Sequence, residues 1–324
     1  MIRWGVVGPG AIAVGFADAM QSVDDGTIVA VASRSAERAD TFGDRFGVPH
    51  RYSDIEDLMA DDDVDAVYVA TPHSSHESDT IRSLRAGKHV LCEKPMALNA
   101  SQVERMVAEA RHRGLFLMEA IWSRFLPAYR SLVGVLEEGR IGDPLLVEAD
   151  FGFRRDFEPE HRLFNPELGG GALLDLGIYP VQLCSLVLGA PERVVADAVL
   201  GKTGVDEQVA AVLRHPGGTM GVVKAALRVT LSCTARISGT EGWIDLPLLM
   251  HCPNSLTVNT AAGAEQIDGS YPGNGLRFEI AEVHRCLAAG LSESPVVPWA
   301  ESLALATTLD AIRAQIGVVY PGER

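Results

Sequence analysis

Short apolar runs alternate with amphipathic stretches along the first third of the chain. The apolar runs are rich in β-branched residues and occupy positions 2–7, 27–32, 65–70 and 89–92. Stretches with helical spacing occupy positions 11–21, 35–46, 77–86 and 101–113. Strands that alternate with helices through short connections predict a parallel sheet with helices on both faces. Runs that are apolar throughout are typical of strands covered on both faces.

The pattern changes after about residue 121. Helix-like stretches at 125–138 and 173–188 flank a long strand-like run at 145–153. Strand-like runs separated by Gly, Pro and Asn then extend from 193 to about 258, which predicts an antiparallel sheet. Two helical stretches, 276–289 and 301–316, follow. We therefore expect an α/β protein with a Rossmann dinucleotide-binding domain at 1–122. A second, α+β domain at 123–324 would contain an open, mostly antiparallel sheet.

Composition narrows the class of protein. The 324 residues are 47% apolar and 22% charged, as in ordinary globular proteins. We see no apolar run of the roughly 18 residues that a membrane span needs. The formal net charge of −15 argues against a nucleic-acid partner, which usually needs a basic patch. The N-terminus lacks the pattern of a secretory signal, and the five cysteines are widely spread without a C-x-x-C pair. We expect a reduced, cytoplasmic protein.

The first apolar run ends in a glycine-rich turn, Gly8-Pro9-Gly10-Ala11-Ile12-Ala13, of the form G-x-G-x-x-A. Gly8 permits a tight turn, Gly10 lets a pyrophosphate approach the backbone, and Ala13 allows close helix–strand packing. The following helix presents free N–H groups to the anion. An ordinary glycine-rich turn is the alternative, but the position between a predicted strand and a predicted helix indicates a dinucleotide site.

The end of the second apolar run bears on the choice of cofactor. An NAD-binding domain usually carries Asp or Glu there, for the ribose hydroxyls. This chain has Ser33 and Arg34 instead, with Arg38 one helical turn further on. Arg34 can stack on an adenine and pair with a 2′-phosphate. We expect NADP rather than NAD; the alternative is that both arginines only face solvent and NAD binds loosely.

Two further segments contain candidate catalytic residues. Lys94, in Glu93-Lys94-Pro95, follows the fourth apolar run, where α/β sheets bind ligands, and the proline raises the chance of a cis peptide bond. Three glycines, 169–171, precede a helical run in which Asp175 and Tyr179 are four residues apart and share a face. A tyrosine can exchange a proton if a nearby cation lowers its pKa from about 10. Alone, each segment could also be a polar turn or an ordinary helix.

Together these motifs resemble the Gfo/Idh/MocA oxidoreductases. The chain also contains Thr71-Pro72-His73 with His76 and, in the β-rich half, Gly239-Thr240-Glu241-Gly242. Segments 117–125 and 170–179 are similar to the dimeric dihydrodiol dehydrogenase branch, which also contains NADP-dependent D-xylose dehydrogenases. The resemblance spans essentially the whole chain. It implies a homodimer formed through the open sheet of the second domain.

The resemblance implies roles for the matching residues. Lys94 would lie at the nicotinamide ribose and the reacting oxygen, Tyr179 would be the acid/base, and Asp175 would fix a neighbouring hydroxyl. The predicted cofactor contacts are Gly8, Pro9, Gly10, Ala11, Ile12, Ser33, Arg34, Arg38, Thr71, Pro72, His73, His76, Glu93 and Lys94. The predicted substrate contacts are Trp122, Arg124, Phe153, Asp175 and Tyr179. His73 departs from the asparagine common in the wider family.

Two features allow alternative interpretations. His73 and His76 are spaced like a metal pair, but no third ligand lies at motif distance. We therefore expect cofactor contact or helix capping, and no metal. The polar stretch from Arg154 to Arg162 is either a substrate lid, with Phe153 at its start, or a plain surface loop.

These features predict an NADP-dependent oxidoreductase. It would move a hydride between the nicotinamide and the carbon of a secondary alcohol or hemiacetal, in a sugar or a cyclic vicinal diol. Alternatives are a reductase of keto-sugars or dicarbonyls, a non-catalytic NADP(H)-sensing protein, and a cofactor-free structural subunit. The intact phosphate loop argues against the last, and the combination of Lys94, Asp175 and Tyr179 argues against a sensor.

Overall fold

The chain folds into two compact units. The structure is a computed structural model that describes residues 1–323. The first unit comprises Met1–Phe125 and Pro272–Leu303, and the second comprises Leu126–Tyr271 and the chain from Ala304 onward. The segment Pro272–Leu303, which the sequence analysis assigns to the second domain, thus belongs to the first unit. Arg324, the last residue of that predicted domain, lies outside the described residues.

The first unit is built on a six-stranded parallel sheet in the order β3-β2-β1-β4-β5-β6. This is the Rossmann strand order, with a switch point between β1 and β4. The strands are β1 Ile2–Val7, β2 Gly26–Ala32, β3 His50–Tyr52, β4 Ala66–Val69, β5 His89–Glu93 and β6 Leu117–Ala120. Every residue of β4 and β6 is buried, as expected of strands covered on both faces.

Helices connect these strands and begin and end at recognisable signals. They are α1 Ala11–Met20, α2 Ala36–Phe46, α3 Ile55–Met59, α4 His76–Arg85 and α5 Ala100–Arg113. The Ser35 side chain accepts a hydrogen bond from the Arg38 N–H, which caps α2 at its start. Gly47, with φ of 70°, ends the same helix in the left-handed conformation. The sequence pattern does not predict the short elements β3, α3 and β6.

The second unit contains an eight-stranded sheet in the order β14-β13-β12-β11-β7-β10-β9-β8. All its strand pairs are antiparallel except β7 with β10. The strands are β7 Pro144–Gly152, β8 Arg193–Leu200, β9 Asp206–Arg214, β10 Met220–Ala226, β11 Ala235–Gly239, β12 Gly242–Leu246, β13 Ser255–Thr260 and β14 Gly263–Asp268. The predicted mostly antiparallel sheet is confirmed.

The remaining helices are α6 Pro127–Glu137, α7 Ile178–Leu188, α8 Leu276–Ala288 and α9 Trp299–Ile316. A π-helical turn, Leu173–Gly177, precedes α7. The regular helix predicted over 173–188 therefore begins in a widened turn that contains Asp175. Such turns are rare and occur frequently at functional sites.

Contrary to the expectation from the apolar runs, the stretch Pro166–Leu188 has the length and apolar composition of a membrane span. Of its most apolar 18-residue window, 83% is buried inside the protein. Such burial is typical of a core helix. The helical part of this stretch, α7, packs on one face of β7 and β10.

Candidate active site

The turn between β1 and α1 leaves room for an anion. Gly8 has φ of 86°, and a Cβ there would overlap the Ala70 carbonyl, so only glycine fits. At Gly10 a Cβ would meet no atom within 4 Å, which means that open space adjoins the backbone. Helix α1 starts at Ala11 without a side-chain cap, and its first N–H groups are free to bind an anion. The turn fits the pyrophosphate of a dinucleotide.

Two exposed arginines follow β2. Within residues 1–323 the guanidinium groups of Arg34 and Arg38 form no ion pair. The Ser33 hydroxyl is half-buried and accepts a hydrogen bond from the Ser35 N–H. Residues 33–36, which directly follow β2, therefore present the positive charge of Arg34 to solvent and include no carboxylate.

Glu93 and Lys94 stand at the end of β5. The buried Glu93 carboxylate accepts a hydrogen bond from the Tyr68 hydroxyl at 2.5 Å and one from the Lys94 N–H at 3.2 Å. The Tyr68 ring stacks on Phe16 of α1 at 3.9 Å between ring centroids. Glu93 thus lies inside the unit, while the Lys94 side chain is half-buried. The Lys94–Pro95 peptide bond is cis.

His76 ties the loop after β4 to the loop after β5. Its Nδ1 lies 2.8 Å from the Pro95 carbonyl oxygen and its Nε2 lies 2.9 Å from the Thr71 carbonyl oxygen. Burial lowers the pKa of His76, and the two carbonyls oppose that shift. The His76 side chain is 0% exposed. It therefore acts on the predicted cofactor loops by holding their backbones.

His73 and Thr71 lie beside it. The His73 ring is 8% exposed and stands edge-on to His76 at 5.6 Å between centroids. The Thr71 hydroxyl donates to Asp79 at 2.8 Å. Together with Pro72, these residues form the turn that follows β4, beside the switch point of the sheet.

Glu119 of β6 holds the same loop as His76 and was missed in the sequence. One of its carboxylate oxygens accepts a hydrogen bond from the Met96 N–H at 2.8 Å, and the other has no hydrogen-bond partner within residues 1–323. Complete burial raises the pKa of Glu119 to about 7. In the sequence, Glu119 is visible only as one acidic residue inside an apolar run.

Of the two predicted substrate contacts that follow β6, Trp122 is half-buried and Arg124 is buried. Arg124 forms an ion pair with Glu301 at 2.5 Å inside the first unit. Their predicted contact with substrate stays a prediction.

In the second unit the triple glycine leads into the π turn and α7. Asp175 is 5% exposed and accepts two hydrogen bonds from the Arg162 guanidinium, at 2.8 and 3.4 Å. Arg162 itself has a half-exposed side chain. The segment before the glycines is therefore fastened to a predicted catalytic residue, which the sequence did not show.

Tyr179 lies on the first turn of α7 among aromatic rings. It is 6% exposed, with Phe151 at 5.7 Å and His251 at 4.9 Å between ring centroids. Phe151 also contacts Phe153, at 6.4 Å, and stacks on His251. His251 was not singled out in the sequence because no local motif surrounds it.

Within residues 1–323, one group of potential metal ligands lies close together: His50, Asp61 and Asp63. Asp61 accepts one hydrogen bond from the Tyr52 hydroxyl and pairs with His50 at 2.6 Å, and Asp63 pairs with Arg3. The two carboxylates of this group are therefore already paired with neighbouring side chains. His73 and His76 do not belong to this group.

The structure divides the predicted catalytic residues between the two units. The turns after β1, β2, β4 and β5 stand at the same edge of the parallel sheet, where doubly wound folds bind dinucleotides. Lys94 belongs to that edge, whereas Asp175 and Tyr179 belong to the second unit.

Comparison with known proteins matches a family model to each of two parts of the chain. Residues 2–121 match the model of an oxidoreductase family with an NAD-binding Rossmann fold. Residues 129–245 match that of the GFO/IDH/MocA C-terminal domain. Trans-1,2-dihydrobenzene-1,2-diol dehydrogenase of Mus musculus is 41% identical, covering 100% of this chain and 99% of that protein. The Homo sapiens enzyme of the same name is 39% identical over the same shares.

Solved structures show the same fold. KijD10, a 3-ketoreductase from Actinomadura kijaniata in complex with NADP and TDP-benzene, superposes with a TM-score of 0.88 at 29% identity, covering 97% of this chain and 98% of that one. An aldose-aldose oxidoreductase from Caulobacter crescentus complexed with glycerol has the same TM-score at 26% identity, covering 97% of each chain. The protein is an oxidoreductase with an NAD(P)-binding Rossmann domain, and it belongs to the Gfo/Idh/MocA family.

Proposed function

We propose that this protein is an NADP-dependent dehydrogenase of secondary alcohol or hemiacetal carbons in sugars or cyclic vicinal diols. The main support is the pairing of a dinucleotide turn with a buried Asp175–Tyr179 segment opened by three glycines. Relatives that are named a dihydrobenzene-diol dehydrogenase and an aldose-aldose oxidoreductase support this substrate class.

The residues that would hold the cofactor are those at the carboxyl edge of the parallel sheet. The β1–α1 turn would take the pyrophosphate, and the turn after β4 would lie along the nicotinamide half. Arg34 and Arg38, exposed and without ion pairs within residues 1–323, suit the charge of a 2′-phosphate. This supports NADP over NAD. When bound, the cofactor supplies the hydride acceptor or donor.

The chain itself would handle the proton and the charge. Tyr179 takes the hydroxyl proton of an alcohol substrate, or returns it in the opposite direction. Lys94 stabilises the negative charge that develops on the reacting oxygen. Asp175, oriented by Arg162, accepts a hydrogen bond from a neighbouring substrate hydroxyl. A vicinal diol or a sugar offers that second hydroxyl, whereas a simple alcohol does not.

The direction of turnover distinguishes the alternatives. A reductase of keto-sugars or dicarbonyls would use the same residues in reverse. Initial rates with NADPH and with NADP⁺ on matched substrate pairs, followed at the absorbance of the reduced nicotinamide, would separate the two directions. A protein that binds NADP(H) without turnover on aldoses, polyols and cyclic diols would support the sensor instead.

Variants of Tyr179 and Lys94 test the chemistry. Tyr179→Phe keeps the ring packed on Phe151 and His251 but removes the hydroxyl, so kcat should fall by about 10²–10⁴. Affinity for NADP should hardly change, since the hydroxyl is not needed to bind the dinucleotide. Lys94→Ala should also lower kcat. Steady-state kinetics and fluorescence titration with NADPH measure the two effects.

Tyr129→Phe is the matched control. Tyr129 is another buried tyrosine of the second unit, and its hydroxyl donates to the Met250 carbonyl at 3.0 Å. This variant should retain turnover. If Tyr179→Phe keeps nearly full turnover while Lys94→Ala abolishes it, the lysine is the acid/base and the assignment is wrong.

We further propose that the protein is cytoplasmic and acts as a homodimer. All five cysteines are free, and four of them are buried, which suits a reducing compartment. The dimer proposal rests on one face of the second unit's sheet, where Val195 and Val212 are exposed.

A further inference from the structure

The triple-glycine turn needs outside support. Gly169 has φ of 74° and Gly171 has φ of 122°, conformations that glycine adopts at low cost but does not by itself maintain. The turn leads directly into the π turn that contains Asp175, and then into Tyr179. Whatever fixes this turn therefore fixes where both side chains stand.

Tyr320 provides one support from the C-terminal end of the chain. Its ring is 1% exposed, and its hydroxyl donates a hydrogen bond to the Gly170 carbonyl at 2.6 Å. Gly170 in turn packs against the backbone of Arg162 and Leu163, and the Gly171 N–H donates to the Leu163 carbonyl at 2.9 Å. The same contacts thus restrain the segment whose Arg162 pairs with Asp175.

The C-terminal segment is itself fixed. Arg313 of α9 pairs with both carboxylate oxygens of Glu323, at 2.8 and 2.9 Å. Its guanidinium lies over the Tyr320 ring at 5.0 Å from the centroid. Glu323 also accepts a hydrogen bond from the Tyr320 N–H at 2.8 Å. Tyr320 is therefore held at its backbone, its ring and its hydroxyl.

Asp206 provides the second support, at the start of β9. It is 0% exposed, and its Oδ2 accepts a hydrogen bond from the Leu173 N–H at 2.7 Å, at the start of the π turn. Its Oδ1 has no hydrogen-bond partner within residues 1–323, and a Cβ at Gly171 would overlap it. Burial raises the pKa of Asp206 to about 7.

We propose that Tyr320 and Asp206 are positioning residues, which hold the triple-glycine turn at Gly170 and at the Leu173 N–H that follows it, and thereby place Asp175 and Tyr179 for the reaction. Neither residue touches substrate or cofactor in this proposal. The expected effect of these two residues on catalysis rests on the proposed function, in which Asp175 and Tyr179 act on a substrate.

The test compares Tyr320→Phe with the wild type. The variant keeps the ring under Arg313 but loses the bond to Gly170. We expect kcat to fall by about 10- to 100-fold, as when reacting groups are displaced by about 1 Å, with the affinity for NADPH unchanged. Hydrogen exchange of the backbone amides from 170 to 175 should become faster.

Asp206 offers a conservative rescue. Asp206→Ala removes the acceptor for the Leu173 N–H and should lower kcat as Tyr320→Phe does. Asp206→Asn keeps a carbonyl oxygen for that bond, and most of the lost kcat should return. If the Asn and Ala variants are equally impaired, the acceptor role of Asp206 is refuted.

His215→Leu is the matched control for lost stability. His215 is 0% exposed, and its Nδ1–H donates to the Gly189 carbonyl at 2.7 Å, at the other end of α7. The control should lower Tm like Tyr320→Phe but leave kcat and the exchange of 170–175 unchanged. Equal losses of kcat in both variants would show a general loss of stability and overturn the proposal.

The two proposals fail in different ways. If the wild type turns over no sugar or diol while Tyr320→Phe still accelerates exchange at 170–175, the proposed function fails and the anchoring of the turn stands. If the wild type is active but Tyr320→Phe changes neither kcat nor exchange, the positioning proposal alone is refuted.

Discussion

The proposed preference for NADP over NAD depends mainly on one residue, Arg34. Its position, two residues beyond β2, is where a Rossmann domain contacts the adenine ribose. The side chain is exposed and, within residues 1–323, forms no ion pair that would have to break before a phosphate binds. A cation here stabilises a 2′-phosphate and does nothing comparable for a ribose hydroxyl.

Arg34→Ala should therefore weaken NADP binding far more than NAD binding, by about 1.5–3 kcal/mol for a charge-assisted pair. Calorimetric or fluorescence titration of both cofactors measures the difference. Arg45→Ala is the control, because Arg45 is an exposed arginine of α2 that pairs with Asp18 instead. Equal losses for NADP and NAD in Arg34→Ala would rule out the 2′-phosphate contact.

At the level of elements, the loop after β5 is held by buried side chains of a neighbouring helix, α4, and a neighbouring strand, β6. The loop after β5 is fixed by His76 at the Pro95 carbonyl and by Glu119 of β6 at the Met96 N–H. A carboxyl group enclosed in this way is costly to ionise, because burial removes its hydration. The stability of the first unit should therefore depend on the protonation of Glu119.

The pKa of Glu119 is raised from an ordinary value near 4.5 to about 7 in the folded protein. Its protonated form then stabilises the fold fully at low pH, and this contribution is lost as pH rises through about 7. The glutamine of Glu119→Gln cannot ionise. The free energy of unfolding of this variant should therefore fall less than that of the wild type as the pH rises from 5 to 8. The expected difference is about 3 kcal/mol, from about 1.4 kcal/mol per pKa unit.

Chemical denaturation at a series of pH values measures this difference. Glu109→Gln serves as control: Glu109 on α5 pairs with Arg113, which lowers its pKa, so its ionisation is complete throughout that range. Parallel pH curves for the wild type and Glu119→Gln would contradict the assignment.

On the scale of the whole molecule, one face of the eight-stranded sheet offers an apolar surface. Val195 pairs with Val212, and Val212 pairs with Val222, so the three side chains form a row across β8, β9 and β10. Val195 is 52% exposed and Val212 40% exposed, and Met220 and Trp243 on the same sheet are also exposed. The opposite face is covered by α7. An exposed row of this kind is typical of a protein–protein contact.

We expect sedimentation to give a mass twice the 34.7 kDa of one chain, with this face buried between the two copies. Val212→Lys should shift the equilibrium toward the monomer, because burying a charge in an apolar contact is unfavourable. Val229→Lys is the control, since Val229 is 41% exposed but lies outside the strands. A wild-type monomer at micromolar concentration would contradict the dimer.

Much of the fold could be predicted from the sequence, and several residues of the proposed site stand out there, because both have local sequence patterns. The parallel strands are marked by continuous apolar runs, and the dinucleotide turn by glycines at fixed spacing. Lys94 and the Asp175–Tyr179 pair stand out because they directly follow such marks. The absence of a carboxylate after β2 is likewise visible in the chain itself.

Other features depended on tertiary structure, because their partners are distant in sequence. Glu119 reaches Met96 across 23 positions, Asp206 reaches Leu173 across 33, and Tyr320 reaches Gly170 across 150. No local pattern encodes such pairs. The assignment of Pro272–Leu303 to the first unit has the same origin, since α8 packs on α1 and Asn274 donates to the Gly15 carbonyl. The sequence by itself determined which residues are candidates for catalysis and cofactor binding. Burial and long-range hydrogen bonds, which only the tertiary structure contains, decided which other residues hold these candidates in place.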